Sequence, residues 1–226
     1  MNERELMRLH VETLFTHDER GRLLRVNEPS GGVAPRLFIG RTKTGNEWRV
    51  RHDIEEELVH ELGALWVSAR MEDERSTDAY VELLGRFARV QRIWTGPAYR
   101  FPDGGLSSSG AIRVTPDNID VIRPLFSDWI DHVKSGQLCV AVVRGGNAVS
   151  VCGSARVTSA AHEAGVETHS DHRGHGYAAL AVSAWAAAVR ELGCIPLYST
   201  SWTNGASQSV ASKLELVRFG ADLHIT

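Results

Sequence analysis

Apolar residues in the first hundred positions follow two spacings, and each spacing predicts a different element. Apolar side chains three or four residues apart predict amphipathic helices, over residues 6–15, 53–66 and 77–88. Single alternation and extended runs predict strands, over residues 23–26, 36–41, 47–51 and 89–100. Asp53 has a side chain suited to capping the second helix. The first part of the chain therefore predicts a small α+β domain.

A run rich in glycine, serine and aspartate at residues 103–110 separates this part from the rest. We place a domain boundary there and divide the chain into residues 1–105 and 106–226. Strands are predicted over residues 111–114, 138–143, 149–158, 162–168, 196–202 and 221–225. Helices are predicted over residues 116–135, 177–192 and 206–216, the first of them broken in two at Pro124. Strands and helices that alternate in this way predict an α/β domain.

Charge, cysteine content and hydrophobicity indicate the kind of protein and its partners, but not its activity. The 226 residues carry a formal net charge of −3, so charge indicates no nucleic-acid partner. Three cysteines, an odd and sparse set, are typical of reduced core residues in an intracellular protein. No window approaches the ~20 apolar residues of a membrane span. We therefore expect a cytoplasmic protein with no membrane partner, and a homodimer is an open alternative to a monomer.

The stretch from Gly165 to Leu180 joins a strand end, a polar loop and the start of a helix. Such a junction leaves backbone N–H groups unpaired at the positive end of the helix dipole, where an anion binds well. Gly174 and Gly176 would let a phosphate approach closely, and Arg173 adds a positive charge. The stretch lacks the third glycine of a dinucleotide fingerprint and the Gly-Lys-Ser/Thr of a Walker loop. It predicts a diphosphate site of another kind.

The loop residues Arg173-Gly-His-Gly-Tyr-Ala178 resemble the acyl-CoA signature Gln/Arg-x-x-Gly-x-Gly/Ala of the GNAT N-acetyltransferase superfamily. Asp171 stands where that signature usually has glutamine or arginine. A second stretch, residues 201–214, resembles the family's second motif, an asparagine followed by a helix ending in Lys-Leu-Gly. Glu215 replaces the last glycine of that motif. The resemblance covers about residues 110–226, whereas we recognise no family motif in the N-terminal half.

The resemblance implies a mixed, mostly antiparallel sheet flanked by helices. It also implies transfer of acetyl from acetyl-CoA to an amine of a small molecule or peptide, by direct attack in a ternary complex. A non-catalytic acyl-CoA sensor is the rival interpretation. The residues expected to contact acetyl-CoA are Val166, Thr168, Arg173, Gly174, His175, Gly176, Tyr177, Ala178, Asn204 and Ser207.

Removal of the amine proton needs a base, and the strand before the loop offers two glutamates. Glu163 is the first candidate and Glu167 the second, since alternation places both on one face of the strand. His162 is a third option, because a bulge at Gly165 would change the alternation. Family members often carry a tyrosine as general acid seven residues after the motif asparagine, but Ala211 stands there. Water, Tyr198, Ser207 and Tyr177 remain as alternatives for that role.

Three histidines at intervals of three residues, His169, His172 and His175, raise the question of a metal site. No cysteine and no obvious pair of carboxylates completes a tetrahedral set of ligands near them. We therefore expect no metal and interpret the histidines as phosphate contacts or solvent-facing side chains.

Overall fold

The structure is a computed structural model that describes residues 1–29, 31–68 and 74–226. Its helices are α1 (Glu3–Leu14), α2 (Glu56–Ser68), α3 (Glu74–Phe87), α4 (Ile130–Lys134), α5 (Tyr177–Glu191) and α6 (Gly205–Lys213). Its strands are β1 (Phe15–His17), β2 (Leu23–Val26), β3 (Leu37–Arg41), β4 (Glu47–Val50), β5 (Ile93–Arg100), β6 (Ile112–Val114), β7 (Cys139–Arg144), β8 (Asn147–Val157), β9 (Ala161–Thr168), β10 (Ile195–Ser199) and β11 (Val217–Ile225). None of the helices in these ranges is long and apolar enough to cross a bilayer.

The chain divides into two compact units. The first contains Met1–Ala98 together with Phe219–Thr226, and the second contains Tyr99–Arg218. This division differs from the boundary predicted after residue 105, because the last strand is part of the first unit. There β11 pairs antiparallel with β3, and Ala221 lies opposite Arg41.

In the first unit the strands lie in the order β4-β3-β11-β5, while β1 and β2 pair separately. Helices α2 and α3 supply Leu62 and Leu84 to a core that also contains Ile39 of β3. Both helices were predicted, but the expected cap is wrong. The Asp53 carboxylate accepts a hydrogen bond from Arg51 Nε at 2.6 Å, and α2 begins only at Glu56.

A buried carboxylate holds two histidines together in the first unit. His10 Nε2 donates to Asp222 Oδ2 over 3.1 Å, and His224 Nε2 donates to the same oxygen over 3.0 Å. The His10 and Asp222 side chains are fully buried, and His224 stacks on Trp94 with ring centroids 4.6 Å apart. Burial opposes ionisation of Asp222, but the hydrogen bonds from the two histidines hold its pKa well below the usual value. The carboxylate therefore stays ionised and joins α1 to β11.

In the second unit the strands lie in the order β10-β9-β8-β7-β6. The pairs from β6 to β9 are antiparallel, whereas β9 and β10 are parallel. On one face Trp185 of α5 packs with Val142 of β7, and on the other Val133 of α4 packs with Ala141. This confirms the expected mixed, mostly antiparallel sheet flanked by helices.

The segment between β6 and α4 is less helical than predicted. Residues 116–135 contain two short 3-10 turns, Pro116–Val121 and Ser127–Trp129, before the five-residue α4 begins. Asn118 has non-helical dihedral angles, and Pro124 lies in the stretch between the two turns. Because proline lacks an N–H group, it cannot continue a helical ladder there. The segment therefore acts mainly as a cover for one face of the sheet.

We expect Asp222→Asn to lower the free energy of unfolding by about 2 kcal/mol, because two hydrogen bonds to a charged acceptor become bonds to a neutral one. Since the folded pKa is lowered, the stabilisation is complete above the unfolded pKa of about 3.9 and is lost as the pH falls below it. Urea unfolding from pH 7.5 down to pH 3 measures this, with Asp78→Asn in exposed α3 sequence as control. A wild-type advantage that changes between about pH 5.5 and 7.5 would assign the effect to the histidines instead.

Candidate active site

Strands β9 and β10 separate before either of them ends. Their pairing covers three residue pairs, the last of which is Leu197 opposite Glu163. Strand β9 nevertheless continues to Thr168 and stays paired with β8 along its other edge, where Ser150 lies opposite Thr168. Residues 164–168 therefore present a backbone edge that no strand in the described part of the chain pairs with. The gap between the two strands leaves room for an extended ligand to pair with that edge.

The loop after β9 leads into α5, whose N-terminus has no side-chain cap. Gly174 and Gly176 have φ angles of +80° and +79°, which glycine adopts at little cost. Gly176 is the N-cap of α5, so no side-chain oxygen satisfies the first N–H groups of this helix. Arg173 Nε donates to the Thr168 carbonyl over 3.3 Å, which keeps its side chain beside the strand end. These groups lie together at the place where the sequence predicts an anion site.

A second cation, from another helix, lies against this loop. A Cβ atom placed on Gly176 would lie only 2.7 Å from Lys213 Nζ, at the last residue of α6. Among the described residues no carboxylate forms an ion pair with Lys213. Lys213 is part of the second sequence motif, but the motif alone gives it no role. No local sequence pattern shows that the end of α6 lies beside the start of α5.

A cavity of about 610 Å³ extends from the loop along α6. Its walls are formed by β9, the loop, the first turn of α5 and one side of α6. The lining residues are Val166, Glu167, Thr168, His172, Arg173, Gly174, Gly176, Tyr177, Ala178, Ala179, Asn204, Ala206, Ser207, Ser209, Val210 and Lys213. All the residues expected to contact acetyl-CoA line this cavity except His175. That histidine stacks on Tyr177, with ring centroids 5.5 Å apart.

The two candidate glutamates differ sharply in accessibility. Glu163 is only 1% exposed, and its Oε1 accepts a hydrogen bond from Ser199 Oγ at 2.7 Å. Glu167 is exposed and lines the cavity, and its Oε2 accepts a hydrogen bond from Trp129 Nε1 at 2.9 Å. The register irregularity lies on β8 between Ser154 and Arg156 rather than at Gly165. Strand β9 is therefore regular, and both glutamates lie on one of its faces.

His162 points to the opposite face of β9. Its Nδ1 lies 2.8 Å from Ser154 Oγ, which also accepts a hydrogen bond from Trp185 Nε1 of α5 at 3.0 Å. Burial lowers the pKa of His162. This side chain belongs to the buried hydrogen-bond network under α5 and does not line the cavity.

Trp129 reaches Glu167 because two glycines leave space above the sheet. Gly153 and Gly165 are cross-strand partners on β8 and β9. A Cβ on Gly153 would lie 2.7 Å from both Trp129 Cζ3 and His132 Nε2, and one on Gly165 would lie 3.4 Å from Trp129 Cη2. The pair of glycines therefore forms a flat surface on which the indole rests. Sequence analysis did not identify Trp129, since its contact is with a residue 38 positions away.

The three spaced histidines do not converge on one point. The rings of His169 and His172 lie 6.0 Å apart, and His175 turns towards Tyr177 instead. Within residues 1–29, 31–68 and 74–226, no group of three or more histidine, cysteine, aspartate or glutamate side chains could hold a metal ion.

Comparison with known proteins agrees with this geometry. A family model of GNAT acetyltransferases matches residues 119–218, and the resemblance found in the motifs is confirmed over that part of the chain. The first 118 residues lie outside that match. No protein of curated function matches the chain significantly.

Solved structures show the same fold at low sequence identity. The chain is similar to a GCN5-related N-acetyltransferase from Kribbella flavida, with 12% identity, a TM-score of 0.50 and coverage of 98% of this chain and 93% of that one. An acetyltransferase of the GNAT family from Colwellia psychrerythraea gives 10% identity, a TM-score of 0.51 and coverage of 83% and 80%.

We expect Gly153→Ala to destabilise the protein by about 1–3 kcal/mol, because the new methyl group would displace Trp129 or the sheet beneath it. Gly165→Ala should cost less, since its closest new contact is at 3.1 Å, with Ala155 Cβ. Chemical unfolding measures both, and Gly104→Ala is the control because nothing lies within 4 Å of a Cβ there. Equal stability of Gly153→Ala and the control would contradict the close packing of the indole.

Proposed function

We propose that the protein transfers the acetyl group of acetyl-CoA to an amine of a small molecule or peptide, by direct attack in a ternary complex. The observation that carries the proposal is the continuous cavity that joins a phosphate-type loop to an unpaired strand edge. The GNAT match over residues 119–218 supports the same reaction class. The non-catalytic acyl-CoA sensor is the alternative, and release of free CoA in the presence of an amine panel separates the two.

The loop end of the cavity suits a diphosphate. The first turn of α5 offers N–H groups that have no side-chain cap, at the positive end of the helix dipole. Arg173 and Lys213 both line the cavity there and would add two positive charges. Charge-assisted bonds to phosphate oxygens are stronger than neutral ones, so this end would supply much of the affinity for CoA.

The strand edge suits the pantetheine arm. Its amide groups would pair with the backbone of β9 near Val166 and Thr168, where β10 no longer does so. A backbone N–H on this edge would also polarise the acetyl carbonyl, since a preformed donor stabilises the negative charge that develops on the oxygen. The sequence implied this role through the family resemblance alone, and the end of the pairing at Glu163 adds a physical reason for it.

Glu167 is the carboxylate that an incoming amine could reach. It lies in the cavity wall, and the indole of Trp129 holds one of its oxygens, leaving the other free to accept a proton. The sequence favoured Glu163 first, but that side chain is buried, accepts a hydrogen bond from Ser199 and does not line the cavity, so an amine in the cavity would not reach it directly. We therefore propose Glu167 as the direct base, with Glu163 in a supporting position.

Gly176→Asp should abolish CoA binding while the fold stays intact. The substitution places a negative charge where a phosphate would sit, against the helix dipole and beside Lys213. Isothermal titration with CoA measures the loss. Gly105→Asp is the matched control, because Gly105 has a φ of +80° and nothing within 4 Å of a Cβ placed there. Unchanged affinity in Gly176→Asp would refute the assignment of the phosphate loop.

Glu167→Gln should lower the acetyl-transfer rate at neutral pH by about 10²–10⁴-fold, the usual range for general-base help, with little change in CoA affinity. Raising the pH should restore part of the rate, because more of the amine is then neutral in solution. Glu163→Gln should lose less, and Glu191→Gln at the exposed end of α5 is the control. If both Glu163→Gln and Glu167→Gln keep the wild-type rate and pH profile, neither glutamate is the base and a water molecule takes the proton.

A further inference from the structure

Ser207 lies at the end of the cavity opposite the phosphate loop. It is in the first turns of α6, whereas Lys213 ends the same helix beside Gly176. At 1.5 Å per residue the two positions are about 9 Å apart along the helix axis. The Ser207 N–H donates to Asn204 Oδ1 over 3.1 Å, which fixes the position of the serine. A ligand with its phosphates at Lys213 would therefore extend its other end towards the Ser207 hydroxyl.

A buried tyrosine stands directly behind this serine. Tyr198 of β10 is only 2% exposed, and its hydroxyl lies 2.6 Å from Ser207 Oγ. Burial raises the pKa of Tyr198 to about 12, against the opposing effect of the hydrogen bond with Ser207. The phenol therefore keeps its proton at neutral pH and has a hydrogen to donate. The phenol has two acceptors within reach, the Ser207 carbonyl at 3.3 Å and Ser207 Oγ at 2.6 Å. When it donates to the nearer one, Ser207 Oγ, the serine's own hydrogen is free to point into the cavity.

Other hydroxyls in the cavity wall are already engaged or lie elsewhere. Thr168 Oγ1 is 2.8 Å from Ser150 Oγ, and Ser209 Oγ donates to a backbone carbonyl of its own helix over 2.8 Å. Tyr177 lies at the loop end, where the Arg144 guanidinium is 4.9 Å from its ring centroid. Two hydroxyls of the described cavity wall, those of Ser207 and Thr168, lie against a buried hydroxyl. Ser150 Oγ donates to the Glu167 carbonyl over 3.0 Å, so the hydrogen between Ser150 and Thr168 comes from Thr168 and does not point into the cavity.

We infer that the Ser207 hydroxyl donates a hydrogen bond to the sulfur that leaves during acetyl transfer, and that Tyr198 is a positioning residue that orients this hydroxyl. The inference rests on the proposed function. The amine nitrogen forms a bond to the acetyl carbon, the carbon–sulfur bond breaks, and sulfur departs as a thiolate with the electron pair. The proton lost by the amine goes to the base. Ser207 keeps its proton, because its part is to stabilise the negative charge on sulfur.

Stabilisation of the CoA thiolate by Ser207 can be measured by CoA binding alone, with no amine substrate present. Desulfo-CoA lacks the thiol but carries the same phosphates, so the ratio of the two affinities isolates the sulfur. A donor that stabilises the thiolate lowers the pKa of the bound thiol, and the affinity for CoA relative to desulfo-CoA then rises with pH. A hydrogen bond to a charged group would give a rise of about tenfold or more. Isothermal titration of both compounds between pH 6.5 and 9.5 measures it.

Variants of the serine test the assignment. We expect Ser207→Ala to lose the rise in the ratio and Ser207→Thr to keep most of it, since threonine retains a hydroxyl. Desulfo-CoA should bind all variants similarly, which shows that the cavity is intact. Ser212→Ala, at an exposed position of the same helix, is the control. A rise that persists in Ser207→Ala, or one that is missing in the wild type, overturns the inference and leaves the proposed function standing. If neither compound binds the wild type, the proposed function itself fails.

A double-mutant cycle tests the part played by Tyr198. Tyr198→Phe alone should reduce the rise in the ratio, because Ser207 then loses the donor that orients it. Tyr198→Phe should have no further effect in the Ser207→Ala background, since the tyrosine acts through the serine. Additive effects of the two substitutions would show that Tyr198 acts independently and would overturn its assignment as a positioning residue.

Discussion

The pairing between β9 and β10 ends at Glu163 and Leu197, and the candidate site depends on that ending. Backbone groups inside a protein need hydrogen-bond partners, so a strand edge released from its neighbour must be satisfied by solvent or by a ligand. The released edge of β9 leads straight into the glycine loop and the uncapped start of α5. One continuous piece of chain therefore offers donors and acceptors for an extended arm and then positive charge for an anion.

Because side chains alternate regularly along β9, one face of the strand is largely apolar and the other carries the two candidate carboxylates. Val166 belongs to the apolar cluster under α5, on the face to which His162 also points. Glu163 and Glu167 lie on the other face, where the segment carrying Trp129 covers the sheet. An acyl donor held from the α5 and α6 side would thus be approached by its acceptor from the side of the carboxylates. The irregularity on β8 leaves this arrangement undisturbed, because it falls on the neighbouring strand.

Local features of the site could be predicted from the sequence, while long-range contacts could not. The loop with Gly174 and Gly176 was identified because its glycines, the end of the strand pattern and the start of the helical spacing all fall within a few residues of one another. The hydrogen bond between Trp129 and Glu167 joins positions 38 apart in the sequence. It depends on the packing of the Trp129 indole against Gly153 and Gly165 of the sheet. The approach of Lys213 to Gly176 depends on the packing of two helices. Such contacts follow from tertiary structure, and a single sequence carries no pattern for them.

The position of Lys213 has a consequence for the protein without its ligand. An ammonium group then faces the positive end of the α5 dipole, so two regions of like charge are held close together. Screening by salt weakens such repulsion and equally weakens the attraction of both regions for a phosphate. Ionic strength should therefore act in opposite directions on the two states, favouring the empty fold while reducing its hold on an anion. In the free protein the Lys213 ammonium group and the positive end of the α5 dipole repel each other, and an anion bound between them would remove that repulsion.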